Sequence, residues 1–472
     1  MSLGLEKAGF QCVGAFEWND QAASTYRHNL GRDLVVQGFG SLLGDLSRIN
    51  PRQVARKLAK AGIGRGDIDL LAAGPPCQGF SRIGRGKLNS LSGKVNAFLH
   101  DPRNQLYRRA LEFVDVLEPK AVLLENVPGI IHLAGTNIAA VICKALSDLG
   151  YSVRYTLLNA ARYGVPQTRE RVFILGIRKD LSQTPPSFPE PTHHFEMPRG
   201  TLSRADLCTE GFLNPELYCP FSEISERSKR RALPAAVSAE EALGDLPVFT
   251  EHLRFLGKCG LPNRKGYSSK REFHEPLPYR LNLRQANKYQ RLMRKWLPLD
   301  EPSLVSGQYC RWVPRDFLTF RKMRQGDCYP QALEIAKGRY RKALEAYKNG
   351  DLTARPKKSD FIPPYSAESF DEKWKKIYRL RPSWTITAHL ERDTYSHIHY
   401  DNSQARAISP REAARLQGFP DGFEFSGNTG DVYRQIGNAV PPILAWKLGI
   451  CILAQINLFI TNKETVPALM II

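Results

Sequence analysis

One cysteine at a stiff corner of the sequence has the features of a nucleophile. An apolar run that begins at Ile68 leads into a Gly-Pro-Pro corner, and Cys77 follows it directly. Open α/β sheets place their chemistry at the carboxyl ends of strands, where this thiol would stand. The two prolines fix two φ angles, so the loop holds the sulfur in one place. Because a lone loop cysteine is more often inert than catalytic, its role depends on what the rest of the chain supplies.

One glutamate and two arginines that could join the cysteine follow further along the chain. Glu125 comes after the apolar run Ala121–Leu124, and Arg169 and Arg171 precede the apolar run Val172–Ile177. Residues two apart on a strand face the same side, so both arginines are expected to point into one pocket. An isolated glutamate in such a place is more often a cap or an ion-pair partner. A solubilising role is a fair alternative for Arg171 and a poor one for Arg169.

The elements around these residues predict an α/β fold. Strands are expected at 69–73, 121–124, 153–158 and 172–177, and helices at 104–117 and 136–149. Strands that alternate with helices of this length indicate a doubly wound, mostly parallel sheet. Composition changes near Leu181, where prolines break any regular element.

Three stretches are therefore expected. Residues 1–181 form the α/β domain, residues 182–402 form a second domain of irregular mixed fold, and residues 403–472 return to the first domain. Helices are predicted at 284–296 and 331–348 in the second domain. A further helix is predicted at 410–416, with Ser409 as its cap and Glu412 in the capping-box position. The apolar stretch 449–460 is too short to cross a bilayer and reads as a packed helix.

Charge indicates a polyanionic partner. The chain carries a net charge of +20, and residues 254–358, with 25 Lys and Arg against 9 Asp and Glu, supply +16 of it. Aromatic residues are interleaved through this basic segment, a combination typical of nucleic-acid contact. The nine cysteines include no CxxC pair, which favours a reducing compartment, and no secretory signal is visible. The sequence predicts neither a metal site nor a membrane segment.

Four blocks in order and spacing resemble the C5-cytosine DNA methyltransferases of bacteria. The blocks are Pro75-Pro76-Cys77-Gln78, Glu125-Asn126-Val127, Gln167-Thr168-Arg169-Glu170-Arg171 and Gly437-Asn438-Ala439-Val440-Pro441-Pro442. The resemblance covers nearly the whole chain outside its variable middle. It implies a Rossmann-like fold that uses S-adenosylmethionine, and methylation of C5 of cytosine in a specific double-stranded DNA sequence.

The resemblance also implies roles for the four candidate catalytic residues. Cys77 adds to C6 of the cytosine, which leaves an enamine that attacks an electrophilic methyl at C5. Glu125 hydrogen-bonds N3 and the exocyclic amine of the base. Arg169 holds the base and its thiol adduct, and Arg171 orders the same network.

Cofactor and DNA contacts follow from the same resemblance. In the family a carboxylate after the second strand binds the ribose hydroxyls, which implies this role for Glu17. The acid of the Gly-Asp-Leu block, here Asp45, binds the adenine amine. The turn that contains Asn438 and Val440 closes the cofactor pocket. The implied cofactor contacts are Glu17, Asp45, Leu46, Pro76, Leu106, Asn438 and Val440. The base must be flipped, since a thiol cannot reach C6 inside the stack. The implied DNA contacts are Gln78, Ser81 and Thr385.

The chain departs from this family at its start. The family opens with a strand and a loop of the form Asp-x-Phe-x-Gly-x-Gly-Gly. This sequence begins at Met1-Ser2-Leu3-Gly4, and its first residues resemble the helix that follows the glycine loop in the family. The sheet is therefore expected to lack a central strand and to expose ladder groups on its neighbours. Either the start was assigned at an internal methionine, or the chain is a truncated and silent copy.

Two other functions stay open on the sequence. One is a DNA-binding protein without turnover, and the other is an RNA cytosine methyltransferase with the same chemistry. For the leading prediction, we expect a cytoplasmic, nucleoid-associated monomer whose functional partner is a restriction endonuclease.

Overall fold

The computed structural model describes residues 1–31, 46, 48–75, 106–132, 136–196, 214, 216–225, 232–260, 276–298, 303–366, 373–457 and 466–472. The chain divides into two compact units. The first unit contains residues 1–165, 169–236 and 440–472, and the second contains residues 166–168 and 237–439.

The first unit is built on a sheet of six strands in the described part of the chain. The strands are β1 (Gln11–Ala15), β2 (Leu70–Ala73), β3 (Ala121–Asn126), β4 (Tyr151–Asn159), β5 (Glu170–Arg178) and β8 (Ala468–Ile471). Their order is β1-β8-β2-β3-β5-β4, and every neighbouring pair is parallel except the two pairs that β5 makes. The predicted mostly parallel sheet is confirmed.

Continuous apolar sequence explains the central strands. All four residues of β2 and the first four of β3 are at most 2% exposed. Strands covered on both faces need such unbroken apolar runs rather than an alternating pattern. The helices that cover the sheet are α1 (Ser2–Ala8), α2 (Asp20–Leu30), α3 (Pro51–Lys60), α4 (Leu106–Leu117), α5 (Ile138–Asp148), α6 (Phe221–Ile224) and α13 (Pro442–Asn457).

The expected gap in the centre of the sheet is filled, so that prediction was wrong. Strand β8, from the far end of the sequence, lies between β1 and β2 and pairs with both. Asp69 anchors its first residue, because the Asp69 carboxylate accepts the N–H of Ala468 at 2.6 Å. Leu469 and Met470 are fully buried. The ladder groups of β1 and β2 are therefore paired by an apolar segment that sequence order did not place there.

Helix α13 brings the chain back onto the first unit against α1. The two helices approach closely at two glycines, Gly4 and Gly449. A Cβ on Gly4 would be 2.1 Å from the carbonyl oxygen of Pro442, and one on Gly449 would be 2.6 Å from the Cβ of Ala8. Contacts this short exclude any side chain at either glycine.

One stretch, Thr429–Ile456, is long and apolar enough to cross a membrane by length and composition alone. Its most apolar window is 56% buried inside the protein. Non-helical residues at 439–441 also interrupt it. This burial is typical of core helices.

The second unit is mostly helical and irregular in its described part. Its helices are α7 (Ala239–Leu243), α8 (Lys288–Lys295), α9 (Phe317–Lys322), α10 (Tyr329–Lys348), α11 (Pro410–Gln417) and α12 (Thr429–Asn438), and its strands are β6 (Leu277–Pro278) and β7 (Leu304–Val305). The aromatic side chains of Phe317, Phe320, Tyr329 and Trp374 form a core in which all four are fully buried. Part of the aromatic content of the basic segment is therefore core.

The boundaries between the two units differ from the predicted domain boundaries at 181/182 and 402/403. Residues 182–236 belong to the first unit and residues 403–439 to the second. The proline-rich stretch packs on α13, where Ser187 donates its N–H to the side chain of Gln455 at 2.8 Å. Helix α11 is capped by Ser409 and Glu412 as predicted. Its Arg415 binds the carbonyl oxygen of Ala242 at 2.8 Å, which holds α11 within the second unit.

Buried charges organise the second unit. The guanidinium of Arg415 lies between the carboxylates of Asp245 and Asp421, at 3.0 and 2.5 Å, and all three side chains are fully buried. Arg406 and Glu412 form a second pair at 2.7 Å, also buried. Charges buried to this degree must stay paired, because an uncompensated one costs about 3–5 kcal/mol.

Buried histidines make the second unit sensitive to acid. Burial lowers the pKa of His252 to about 3, with the positive charge of Arg406 adding to the effect, and lowers the pKa of His397 and His399 to about 4. Below pH 6.5, the ordinary histidine pKa, these three histidines are protonated in the unfolded chain but stay neutral in the folded one. The free energy of unfolding must therefore fall as pH drops from about 6.5 toward 4.

A single substitution tests this linkage. The ring of His252 packs edge-on against Phe317, with centroids 4.4 Å apart, so His252→Phe fits the same aromatic cluster. In urea unfolding at pH 6.5 and 5, we expect this variant to lose about 1.6 kcal/mol less stability than the wild type, because a full proton is worth about 1.4 kcal/mol per pH unit and the unfolded histidine is half protonated at pH 6.5. Equal losses would contradict a neutral His252 in the folded state.

Candidate active site

The predicted nucleophile and its neighbours lie outside the described residues, as do several implied contacts. These are Asp45, Pro76, Cys77, Gln78 and Ser81. The structure does show where their loop begins. Strand β2 ends at Ala73, and Gly74 and Pro75 follow at the carboxyl edge of the sheet. In open α/β sheets this edge carries the ligand site.

Glu125 stands at the same edge, near the end of β3. Its Oε1 is 3.0 Å from Nε of Arg171 on β5, and the two side chains are 12% and 13% exposed. A pair so little exposed is screened less than a surface pair, so it fixes the orientation of the carboxylate. The other oxygen, Oε2, faces Gly74, where an added Cβ would lie 3.7 Å away. Glu125 therefore turns one oxygen toward the loop that leads to Cys77.

Asn126 ties the root of that loop to β3. Its side-chain amide donates to the carbonyl oxygen of Pro75 at 3.3 Å, and its Oδ1 accepts the N–H of Val127 at 2.9 Å. The side chain is buried. Sequence reasoning assigned Asn126 no role, although it directly follows Glu125 in the same block. The structure shows that Asn126 holds Pro75, the last described residue before the thiol.

The two predicted arginines occupy different environments. Arg171 lies on β5 and pairs with Glu125, so it does not act as a solubilising surface residue. Arg169 precedes β5 and is 1% exposed. Its carbonyl oxygen accepts the N–H of Ala160 at 2.8 Å, which fixes the backbone where the chain enters the strand. A common pocket for the two side chains stays a prediction.

The end of β1 supplies groups of the kind an adenosine binds. Glu17 follows β1 at the same edge as Gly74 and Glu125, because β1, β2 and β3 run parallel in one sheet. Burial raises the pKa of Glu17, and the N–H of Asn19, donated to Oε1 at 2.9 Å, opposes that shift. Beside it the indole of Trp18 is 72% exposed. A carboxylate acceptor for hydroxyls next to an open aromatic face fits a ribosyl-purine; Trp18 was missed in the sequence, where it directly follows Glu17.

The remaining cofactor candidates fall in separate places. Leu46 packs half-buried on the core of the first unit, and Arg109 of α4 donates to its carbonyl oxygen at 3.4 Å. Leu106 begins α4, one turn before Arg109. Val440 is buried in the first unit, whereas Asn438 ends α12 in the second. Their joint contact with one cofactor stays a prediction.

Thr385 lies in the second unit, in a turn fixed by the chain at 166–168. Its hydroxyl donates to the carbonyl oxygen of Thr168 at 2.8 Å. The buried amide of Gln167 accepts the N–H of Ile386 at 3.0 Å and donates to the carbonyl oxygen of Leu416 at 2.8 Å. Thr385 thus holds the turn through its own hydroxyl, and Gln167, whose role sequence reasoning did not identify, is its main support.

The groups at this edge of the first unit suit the binding of a planar heterocycle. An oriented carboxylate can accept from a ring amine, and the adjoining loop carries a thiol. An acceptor and an aromatic face stand at the end of the neighbouring strand.

Comparisons with known proteins agree with this chemistry. A family model described as C-5 cytosine-specific DNA methylase matches residues 1–453. The chain is 34% identical over 465 residues to a protein of Oceanobacillus iheyensis named "Putative type II methyltransferase", covering 94% of this chain and 91% of that protein. It is 28% identical to the type II methyltransferase M.AgeI of Thalassovita gelatinovora, covering 93% and 94% of the two chains. A crystal structure of an E. coli prophage protein, described as a "putative DNA modification methyltransferase", matches with a TM-score of 0.58 at 21% identity over 97% of this chain and 96% of that one, which supports the fold.

Proposed function

The chain belongs to the C-5 cytosine-specific DNA methylase family and transfers a methyl group from S-adenosylmethionine to C5 of cytosine in DNA, and we propose that Cys77, Glu125, Arg169 and Arg171 carry the reaction. The observation that supports this proposal most is the convergence at the carboxyl edge of the sheet. There the Arg171–Glu125 pair adjoins Gly74, and Asn126 binds Pro75, two residues before Cys77.

The proposed steps begin with the thiolate. The Cys77 sulfur forms a bond to C6 of the flipped cytosine, and the C5–C6 π electrons shift to give an enamine that is nucleophilic at C5. Glu125 binds the N3 and exocyclic amine edge, where electron density collects on N3 as the thiolate adds, and the Glu125 carboxyl supplies the proton that N3 takes up. Arg171 keeps the Glu125 carboxylate in place through the 3.0 Å contact. After C5 is methylated, solvent water takes the C5 proton, and the C5–H electrons re-form the C5–C6 double bond and expel the thiolate. N3 returns its proton to the Glu125 carboxylate, which restores the aromatic ring and frees Cys77.

Bound S-adenosylmethionine supplies a methyl group on a sulfonium, an electrophile that the C5 carbanion equivalent can attack. Glu17 would hold the ribose hydroxyls and Trp18 would cover the adenine. Asp45, Leu46, Pro76, Leu106, Asn438 and Val440 are the further proposed contacts. Burial of Glu17 supports this assignment, since a partly desolvated carboxylate binds hydroxyl donors more strongly than one in water.

The proposed substrate is a specific double-stranded sequence. The basic segment 254–358, most of which lies in the second unit's described part, supplies the charge that phosphate neutralisation requires. Gln78, Ser81 and Thr385 are proposed to contact the DNA around the flipped base. We also propose that the enzyme acts as a monomer at the nucleoid, and that it protects host DNA from a partner restriction endonuclease, as the "type II" names of its relatives suggest for those proteins.

Deuterated methyl transfer tests this function. Purified protein is incubated with S-adenosylmethionine that carries a CD₃ group and with plasmid DNA, structured RNA or both in competition. We expect mass spectrometry of the digested nucleosides to show trideuterated 5-methyldeoxycytidine from the DNA. Label found only in RNA, or on N4 of cytosine, would contradict the proposal.

A further inference from the structure

Two glutamine side chains meet in the interior of the second unit. Gln167 belongs to the segment 166–168, Gln417 ends α11, and both side chains are fully buried. The side-chain nitrogen of Gln167 donates to Oε1 of Gln417 at 2.5 Å. We call these two residues the glutamine pair. Burying polar groups costs stability unless they are hydrogen-bonded, so the pair depends on the partners at its two ends.

Backbone groups of two separate segments are those partners. Oε1 of Gln167 accepts the N–H of Ile386 at 3.0 Å. Nε2 of Gln417 donates to the carbonyl oxygen of Ala439 at 2.5 Å. A continuous line of hydrogen bonds therefore runs from Ile386 through the glutamine pair to Ala439, and all of it lies within the second unit.

The line of hydrogen bonds ends in two turns that carry proposed ligand contacts. Residues 385–387, the base-side turn, contain Thr385, which is proposed to contact DNA around the flipped base. Residues 437–439, the cofactor-side turn, contain Asn438, which is proposed to contact S-adenosylmethionine. Thr385 is half-buried and Asn438 is exposed. The glutamine pair thus joins, from inside the protein, two turns whose proposed ligand contacts reach the surface.

The backbone sets which atom of each amide faces which partner. An N–H can only donate and a carbonyl can only accept, so Ile386 must face the oxygen of Gln167, and Ala439 must face the nitrogen of Gln417. The nitrogen of Gln167, which also donates to the carbonyl oxygen of Leu416 at 2.8 Å, then meets the oxygen of Gln417. Amides meet these needs at both positions, whereas a carboxylate offers no donor and an apolar side chain offers neither group.

The two turns also pack directly on each other. A Cβ on Gly437 would lie 2.5 Å from the carbonyl oxygen of Thr387 and 2.2 Å from the backbone nitrogen of Ala388. No side chain fits at Gly437, so the two backbones stay in contact there. With this packing at one point and the glutamine pair at another, the position of one turn constrains the position of the other.

We propose that Gln167 and Gln417 are positioning residues that couple the two turns, so that DNA bound at the base-side turn tightens the binding of the cofactor at the cofactor-side turn. The coupling rests on the proposed function, which assigns a DNA contact to one turn and a cofactor contact to the other. A ligand that orders one turn lowers the entropy cost of ordering the other when the two are tied together. Linkage requires the effect to be reciprocal, with the same factor in both directions.

Binding of S-adenosylhomocysteine, the product that remains after methyl transfer, measures this coupling without turnover. Calorimetry gives its Kd for the protein alone and for the protein saturated with a duplex that carries the recognition site. That site is first mapped by bisulfite sequencing of plasmid methylated by the wild type. The variants are Gln417→Met and Gln167→Met, because methionine is unbranched like glutamine and has no amide. The control is Thr319→Val, which removes another buried hydrogen bond of the second unit, the one that Thr319 accepts from Arg339 at 2.8 Å.

In the wild type, we expect the duplex to lower the Kd of S-adenosylhomocysteine about tenfold or more. In Gln417→Met and in Gln167→Met this factor should fall to about twofold or less, while the Kd without DNA stays within about threefold of the wild type. Thr319→Val should keep the wild-type factor even where its Tm falls as far as that of the glutamine variants. Each glutamine variant tests the pair by itself, so one that folds is sufficient.

Three results would overturn the coupling in an enzyme that methylates DNA. The first is a folded glutamine variant that keeps the wild-type factor, and the second is a wild type whose Kd the duplex leaves unchanged. The third is a Thr319→Val protein that loses the factor as well, which would show that the factor follows general stability. A wild type that forms no 5-methylcytosine would instead overturn the proposed function, and the coupling with it.

Discussion

Replacing Glu125 by Gln is expected to lower kcat about 10²–10⁴-fold, the range found for residues that handle protons in a transition state. The carboxylate is held by Arg171 at 3.0 Å, and the loop that carries Cys77 begins beside it. A glutamine keeps the shape of the side chain but cannot supply the proton that N3 takes up as the thiolate adds to C6. Single-turnover methylation of DNA, measured with enzyme in excess, isolates this step from product release.

The matched control is Glu118→Gln. Glu118 precedes β3 at the opposite edge of the sheet and makes an exposed pair with Arg65 at 2.6 Å. Exposed pairs contribute little, so this variant should keep the wild-type rate. A Glu125→Gln enzyme within threefold of the control would show that Glu125 does not take part in the reaction. Circular dichroism spectra of both variants establish that the fold is intact.

Replacing Met470 by Asp is expected to destabilise the first unit by about 4 kcal/mol or more, because it buries an unpaired charge. Met470 is fully buried in β8, with its sulfur against Gly14 of β1 and its backbone paired with Leu71 of β2. Equilibrium unfolding in urea measures the loss. Bound S-adenosylmethionine should restore part of it, since a ligand that binds only the folded state stabilises that state.

Val466→Asp provides the comparison within the same segment. Val466 is 62% exposed and lies two residues before β8, so the same charge there should change stability by no more than about 0.5 kcal/mol. If the two variants unfold alike, β8 does not occupy the centre of the sheet. The comparison thus tests the placement of β8 between β1 and β2.

Local pattern was enough to predict most of the first unit. The apolar runs at 69–73 and 121–124 are the buried strands β2 and β3, and helices α4 and α5 lie within the predicted ranges. The capping box of α11 could be predicted because Ser409 and Glu412 are three residues apart, the spacing that this motif requires. Family blocks identified Glu125 and Arg171, which the structure brings together.

Long-range pairing was not predictable from the same patterns. The segment from Ala468 to Ile471 pairs with β1 and β2, which lie some 400 residues earlier in the chain. A short apolar run predicts a buried strand but does not indicate which strands it pairs with. The roles of Asn126 and Gln167 depend on backbone partners at Pro75, Ile386 and Leu416. A side chain that binds backbone groups has no partner residue type that a sequence pattern could reveal, so such supporting roles are not predictable from the sequence.

The most direct test of the central claim is covalent capture of the reaction through Cys77. A duplex whose target base is 5-fluorocytosine keeps fluorine where the C5 proton would be lost, so the thiol adduct cannot be released. With S-adenosylmethionine present, the wild type is predicted to form a denaturation-resistant complex with this duplex, located by peptide mass spectrometry at Cys77, and Cys77→Ser is predicted to form none. An equal yield of complex from Cys77→Ser, or attachment at another residue, would contradict the account.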